Sequence, residues 1–335
     1  MRRLPFIMAL LAAVLAGAGC GGSDDGGDGT ANVPESGGLR EKVRTAAAPT
    51  KADFPAVEGR SLQQVADSMQ GGPELGLAGQ TFTVGENRLA FGVIDPAGQF
   101  VYGKTAVYVA PTPDAKARGP FPAPADVLVT DPPFRSRQAA SETDLFAAVY
   151  GADVPFSKAG RWSVLSVTQA GGGMLAAPGQ VKVVKPGDDA IPEVGEAAPR
   201  VQTDTVASAK GDEEAIDTRI PTAPELHEQS FADVVGKKPV ALLFATPQLC
   251  QSRVCGPVTD IALQLKAEYG DRMTFIHQEV YVDNDPDKGL RPPLQQFNLR
   301  SEPWLFVVGA DGKVTARLEG SFGLKTFESA INTAL

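Results

Sequence analysis

The chain has 335 residues, of which 43% are apolar, with a formal net charge of −9 and an isoelectric point near 4.9. This length predicts about two domains with enough apolar sequence to build cores of their own. Because the chain is acidic and has no run rich in Lys and Arg, its composition argues against a nucleic-acid partner.

The N-terminus is typical of an exported protein. Two arginines precede the apolar run Leu4 to Ala18, which is too short for a transmembrane helix and leads to Cys20. "VLAGAGC" resembles the end of a bacterial lipoprotein signal peptide, although Gly17 stands where such signals usually have Leu. The resemblance implies a signal peptide over 1–20, a lipid on Cys20 and a place on the extracytoplasmic face of the cell membrane.

The next segment, 21–75, is predicted to be a flexible tether because it begins with a run of Gly, Asp and Ser. One short amphipathic helix is predicted inside it. Its apolar face has helical spacing and consists of Leu62, Val65, Ala66 and Met69.

Residues 76–185 contain short β-branched and aromatic runs separated by Gly, Pro and Asp turns, which predicts an antiparallel β-sandwich. The Pro-rich stretch Asp114 to Pro133 is interpreted as a loop. "FSKAGRWSVLSV" is similar to the late strands of immunoglobulin-like domains. The resemblance implies an all-β immunoglobulin-like sandwich with Trp162 as a core aromatic residue.

The composition of residues 186–224 is that of a linker, and His227 just beyond it is expected in a surface loop. From residue 225 to 335, strands and helices alternate. "PVALLFA" is a buried strand, the segment 256–269 is a helix, and "PWLFVVG" and "KVTARLEG" form a hairpin. This order predicts an α/β domain with a central mixed sheet flanked by helices.

This domain, with two cysteines near the start of a helix and Pro303 before a strand, resembles the thioredoxin-like superfamily. "VGEAAPRVQT" also resembles the opening of such proteins, so the fold can begin near residue 192. The resemblance implies that Pro303 is the cis-proline beside the thiols and that Glu302, Pro303 and Trp304 shape a substrate groove. It also implies thiol–disulfide exchange without a cofactor.

The spacing Cys-x4-Cys departs from the two-residue spacer of that superfamily. Counted back from Tyr269, Cys255 occupies the place of the second, resolving cysteine, and Cys250 is the attacking cysteine displaced by an insertion. On a regular helix the two Cα atoms would lie ~8–9 Å apart, beyond the reach of a disulfide. A disulfide therefore requires Cys250 to lie in the loop before the helix.

Three interpretations of the pair remain open, and redox chemistry is favoured. Arg253 would stabilise a thiolate, whereas Glu302 would raise a thiol pKa. Leu243 and Leu249 replace the buried acid and the Trp that thioredoxins carry. The expected partners are exported protein thiols or disulfides, or a membrane redox protein.

The second interpretation is a copper site made by Cys250, Cys255 and His277, as in copper chaperones of cytochrome oxidase assembly, but His277 is expected to pack within a strand. The third is a structural disulfide in a binding or assembly protein.

Overall fold

A computed structural model of the protein describes residues 29–139, 146–250 and 253–335. The signal peptide predicted over 1–20 and the lipidation predicted at Cys20 lie outside the described residues. No helix within the described ranges is long and apolar enough to cross a membrane.

The first part of the chain folds mainly into strands. They are β1 (Glu74–Leu77), β2 (Phe82–Thr83), β3 (Gly85–Ile94), β4 (Thr105–Ala110), β5 (Arg118–Pro122), β6 (Ala125–Val127), β7 (Ala148–Phe156), β8 (Gly160–Ala170) and β9 (Gly173–Val184). One sheet has the order β1-β3-β7-β6, and the other has the order β2-β9-β8-β4-β5. Neighbouring strands are antiparallel, except that β2 and β9 run parallel.

Alternating apolar side chains of the two sheets meet in one core, as expected for strands with one buried face. Phe91 and Tyr150 of the first sheet stack with ring centroids 5.5 Å apart. Val107 and Trp162 of the second sheet lie in the same core. The predicted sandwich is therefore confirmed as two packed sheets, and Trp162 is buried within it.

The described part of the predicted tether is folded. It contains α1 (Leu39–Ala46) and α2 (Leu62–Asp67), and α1 buries Leu39 and Val43 in the core of the sandwich. The flexible tether predicted over 21–75 therefore does not describe residues 29–75, because apolar residues spaced along α1 find a packing surface. The helix predicted around Leu62 is confirmed as α2.

The loop interpretation of Asp114 to Pro133 is wrong in part, because β5 and β6 lie within it. Each of these strands is at the edge of its sheet. Prolines are tolerated at a sheet edge, where one side of the strand needs no donor, which explains why a Pro-rich stretch can still form strands.

The second part of the chain forms an α/β unit. Its elements are α3 (Phe231–Val234), β10 (Val240–Phe244), α4 (Cys255–Tyr269), β11 (Thr274–Gln278), α5 (Pro292–Gln296), β12 (Trp304–Val308), β13 (Val314–Glu319) and α6 (Leu324–Ile331). The sheet order is β11-β10-β12-β13, with β10 and β11 parallel and the other pairs antiparallel. This mixed sheet between helices is the arrangement that the resemblance to thioredoxin-like proteins implies.

The two faces of this sheet pack against different segments. Leu243 and Leu305 face the core that contains both cysteines and residues of α4 and α6. Leu242 and Phe306 face the opposite core, which includes residues of α3 and α5 and also Val201. Part of the predicted linker 186–224 is therefore packed on the α/β unit.

The β-sandwich and the α/β unit share polar contacts. Asp126 of β6 accepts hydrogen bonds from the backbone N–H groups of Gly323, Lys325 and Thr326, at 2.9, 3.1 and 3.1 Å, at the start of α6. The residues after β6 reach α4, where the backbone N–H of Asp131 donates to the side chain of Gln264 at 2.9 Å. The sandwich thus caps one helix of the α/β unit and lies along another.

Candidate functional site

The two cysteines lie at the end of β10 and the beginning of α4. Cys255 is the first residue of α4, as its register against Tyr269 predicts, and Cys250 lies in the preceding loop. The backbone N–H of Cys250 donates to the carbonyl of Thr246 at 3.1 Å, which folds the chain back after β10. No disulfide joins the two cysteines in the structure; Cys250 is 8% exposed and Cys255 is fully buried.

The Cys255 thiol is held in its protonated form. Its burial raises its pKa well above the ordinary value, and the hydrogen bond and charge of Cys250 raise it further. The backbone N–H of Thr246 contacts the sulfur and lowers the pKa, whereas the charge of Glu302 raises it. Burial therefore outweighs the benefit of the helix N-terminus at this cysteine.

Glu302 and Pro303 form the loop that faces the cysteines before β12. The peptide bond between them is cis, as the resemblance to thioredoxin-like proteins implies for Pro303. Burial, together with the charge of Cys250, raises the pKa of the Glu302 carboxyl to about 7. Glu302 is therefore an acid–base group that titrates near neutral pH and acts electrostatically on both cysteines.

Tyr281 belongs to the same group of side chains and was not predicted. Burial raises the pKa of its hydroxyl, with further contributions from the charges of Glu302, Cys250 and Cys255. No motif in the sequence marks it. Only the turn after β11 brings it to the cysteines.

Arg253 and Trp304 are the two other residues predicted to tune the site. Arg253 has a left-handed backbone with φ of 59° and an exposed side chain, so its effect on a thiolate remains a prediction. Trp304 packs in the core on the other face of the sheet, where its ring stacks on Phe306 at 5.7 Å. The groove role predicted for Trp304 is therefore wrong, because side chains alternate between the faces along β12.

The sandwich covers the first turn of α4. A Cβ atom placed on Gly256 would lie 2.5 Å from Cβ of Gln138 and 2.8 Å from its carbonyl oxygen. Ser136 donates from both its backbone N–H and its hydroxyl to Asp260 one turn further along α4, at 2.9 and 3.0 Å. Cys255 is thus shielded by the β-sandwich as well as by its own fold.

The segment 213–223, predicted as linker, lies beneath the cysteine loop. Thr218 donates from its hydroxyl to the buried carboxylate of Glu279 at 2.5 Å, and the backbone N–H of Gln248 donates to the same hydroxyl at 3.2 Å. The segment also borders a polar cleft of about 590 Å³ whose wall includes Gln248 and Leu249, next to Cys250. A partner chain would find room there beside the thiol.

A buried cluster of Asp217, His227 and His277 lies on the same face of the sheet as the cysteines. His277 is the register partner of Leu243, the position at which thioredoxins carry a buried acid. His227 is only 1% exposed, so its predicted surface position is wrong. The chain after the linker turns inward at this point, as the 3-10 turn Pro224–His227 buries Leu226 and His227 together.

The copper site predicted from Cys250, Cys255 and His277 is not assembled. Among the described residues, the group with metal-binding geometry is Asp217, His227 and His277, without either cysteine. Nε2 of His277 lies 3.0 Å from the carbonyl oxygen of Ala245, and Nδ1 lies 3.2 Å from His227. Both nitrogens of His277 are therefore engaged away from the thiols. Its predicted position inside a strand is confirmed.

No protein-family model matches the chain, and no curated protein matches it either. Solved structures similar to it include two proteins from Chlorobium tepidum. One is assigned as a thiol:disulfide interchange protein DsbE (14% identity, TM-score 0.31, 43% of this chain and 98% of that chain). The other is a thiol:disulfide interchange protein of the thioredoxin family (17% identity, TM-score 0.30, 41% of this chain and 94% of that chain).

A third similar structure is a thioredoxin-like superfamily protein, with 14% identity, a TM-score of 0.26, and coverage of 32% of this chain and 85% of that chain. The second and third are described as thioredoxin-like, and each of the three structures matches less than half of the present chain.

Proposed function

We propose that this protein is a thiol–disulfide oxidoreductase that acts through Cys250 and Cys255. The observation that carries the proposal is the hydrogen-bonded pair of thiols at the start of α4, facing the cis-proline loop and its titrating carboxyl. A disulfide used only as a staple needs no such acid–base group beside it. The partners would be exported protein thiols or disulfides, or a membrane redox protein.

The reaction follows from the difference in burial. The Cys250 thiolate attacks a disulfide of the partner, forms a mixed disulfide and releases one partner thiolate, which takes up a proton. Cys255 then loses its proton, and its sulfur attacks Cys250, which releases the second partner thiol and leaves the Cys250–Cys255 disulfide. Two electrons pass to the partner. Cys250 attacks first because it is the more exposed of the two.

Glu302 would be the proton acceptor for the second step. The Cys255 thiol is strongly disfavoured as a thiolate, so its attack requires a base close by. The pKa of the Glu302 carboxyl is about 7 while Cys250 is charged. In the mixed disulfide that charge is absent, so the pKa is lower and more of the carboxyl is ionised at neutral pH. It would take the role of the buried acid that Leu243 replaces.

The test is to trap the mixed disulfide. A Cys255→Ser variant should retain a covalent partner on Cys250 that is released by reductant, while Cys250→Ser should retain none. A redox titration of the wild-type pair should give a potential near or above roughly −200 mV, in the range of exchangeable disulfides. A potential below about −300 mV, with no trapped partner, would instead indicate the structural disulfide of a binding or assembly protein.

The proposal places this chemistry outside the cytoplasm, held at the membrane by a lipid on Cys20. Metabolic labelling with a fatty acid should mark the wild-type chain but not a Cys20→Ser variant. We further propose that the sandwich is immunoglobulin-like. Its two strand orders correspond to A-B-E-D and to G-F-C with one added edge strand at each side, which supports that assignment.

A further inference from the structure

The buried cluster Asp217, His227 and His277 has a geometry that the proposed thiol chemistry does not use. Nδ1 of His277 and Nε2 of His227 are 3.2 Å apart. Each lies 3.7 Å from a carboxylate oxygen of Asp217. The three side chains are no more than 1% exposed. They come from three segments, so the fold itself brings them together.

These separations suit a metal ion better than a hydrogen-bonded trio. Nitrogen and oxygen ligands held about 2.0–2.2 Å from a tetrahedral zinc ion are themselves roughly 3.3–3.5 Å apart. Hydrogen bonds from N–H to oxygen are normally 2.7–3.2 Å long, so the imidazole–carboxylate distances of 3.7 Å exceed them. Shifts of a few tenths of an ångström would bring these three ligand atoms to the separations found around a tetrahedral metal ion.

The lone pair of His277 and the outer partners of Asp217 are also arranged as ligands require, whereas Nδ1 of His227 is buried without a hydrogen-bond partner among the described residues. A carbonyl oxygen only accepts, so Nε2 of His277 carries the proton that binds Ala245, and the lone pair of Nδ1 is directed into the cluster. The oxygens of Asp217 accept from the backbone N–H groups of Arg219 and Ala223, at 2.9 and 2.7 Å. Such outer hydrogen bonds fix the orientation of metal-binding side chains.

The charge of the region favours a divalent cation. The cluster holds the carboxylate of Asp217 and two imidazoles. Among the described residues, no Lys or Arg side chain pairs with this carboxylate. Glu279, also buried, adds a second negative charge near His277.

A buried carboxylate without a cation is costly, and a divalent ion would balance the charges of Asp217 and Glu279. We propose that Asp217, His227 and His277 form a binding site for a divalent metal ion of the zinc class. Asp217 also lines the polar cleft, which gives the ion a route from solvent and a place for a water as the fourth ligand. Two imidazoles and one carboxylate are the ligand types that such ions prefer.

The experiment uses the full chain without a polyhistidine tag, stripped of metal by a chelator and titrated with Zn²⁺ or Co²⁺. One equivalent should bind, and Co²⁺ should give the visible absorption of a tetrahedral site. His227→Gln and His277→Gln should each weaken binding at least tenfold. The control is the Cys250→Ser/Cys255→Ser double variant, which should bind as the wild type does, so the result is independent of the proposed redox function.

A second measurement needs no variant, in case a substitution in the core prevents folding. Zn²⁺ added to the stripped wild type should raise its thermal unfolding midpoint and shift the NMR signals of Nδ1 of His277 and Nε2 of His227. Failure to take up metal would overturn the proposal and leave a hydrogen-bonded cluster. Binding that survives both histidine substitutions, or that is lost in the cysteine variant, would overturn it as well.

Discussion

At the scale of single residues, Glu302 adds to the burial that is the main cause of the raised pKa of Cys255. Its carboxylate raises the pKa of Cys255, and the charge of Cys250 in turn raises the pKa of Glu302. Replacing Glu302 with Gln should therefore lower the apparent pKa of the cysteines, measured from the pH dependence of alkylation of the reduced protein. Glu225→Gln, which changes an exposed carboxylate, is the control and should leave that profile unchanged. An unaltered profile in Glu302→Gln would contradict the electrostatic coupling.

The Glu302→Gln substitution also distinguishes the electrostatic effect of Glu302 on the thiols from its proposed role as a proton acceptor. Without a base, Cys255 should attack more slowly even though its pKa is lower. The rate of release of a mixed disulfide from Cys250 should rise with pH in the wild type as the Glu302 carboxyl ionises, at a pH below 7 because the mixed disulfide removes the charge of Cys250 that helps to raise this pKa. That rise should be missing in Glu302→Gln, and stopped-flow measurement of partner release would show it. A faster release at pH 8 in the variant would argue against Glu302 as the base.

The sequence was sufficient to predict the residues whose positions depend on local spacing. The register against Tyr269 predicts that Cys255 opens the helix, and the resemblance to thioredoxin-like proteins implies the cis bond at Pro303. Asp217 and His227 were missed because nothing in a run of Gly, Asp, Glu and Pro marks burial. Their burial depends on contacts with β11, far away along the chain.

At the scale of elements, α4 begins against the sandwich with no space for a side chain at Gly256. An Ala in the first turn of a helix would normally stabilise it by about 0.5–1 kcal/mol relative to Gly. Here Gly256→Ala should instead destabilise the protein, because the added Cβ would overlap Gln138. In a Cys250→Ser background it should also speed alkylation of Cys255. Gly71→Ala, where the Cβ meets nothing, is the matched control.

The start of α6 depends on a carboxylate from outside its own domain. Asp126 accepts from three backbone N–H groups there, and such caps are worth roughly 0.5–2 kcal/mol. Asp126→Ala should lower the free energy of unfolding by at least this amount and speed hydrogen exchange of the α6 amides. Ser61→Ala, which removes a cap of α2 within the sandwich, should not affect exchange in α6.

Elements with strong patterns were predicted best. The continuous apolar run of β10 and the apolar face of α4 indicate their type, whereas the prolines within β5 and just before β6 favour a loop. The helix α1 was hidden in a polar segment, since its few apolar residues are informative only once the sandwich gives them a surface.

At the scale of the whole molecule, the sandwich and the α/β unit meet at the buried guanidinium of Arg219. Arg219 donates to Asp260 at 2.8 Å and to the carbonyl oxygen of Phe134 at 2.7 Å, so the linker, α4 and the sandwich meet at one guanidinium. Burial raises the pKa of Asp260 from its ordinary 3.8 to about 6, against the opposing effects of Arg219 and Ser136.

The raised pKa of Asp260 makes the free energy of unfolding depend on pH in a defined direction. The folded state binds the proton of Asp260 more tightly than the unfolded chain does. The contribution of Asp260 to the free energy of unfolding therefore increases as pH falls from 7 to about 4. Relative to Asp260→Asn, the wild type should gain free energy of unfolding on the order of 2–3 kcal/mol across that range. Urea unfolding of both proteins at several pH values measures the difference. A difference that does not vary with pH would contradict the assignment.

The carboxylate of Asp126 at the start of α6 has a practical consequence for dissecting this protein. A fragment cut at the apparent boundary near residue 192 would keep both cysteines and the whole α/β sheet. It would also leave three helix amides without acceptors and uncover the first turn of α4. Biochemical experiments should therefore use the β-sandwich and the α/β unit together. The excised C-terminal fragment would expose surfaces and amides that are covered in the intact chain.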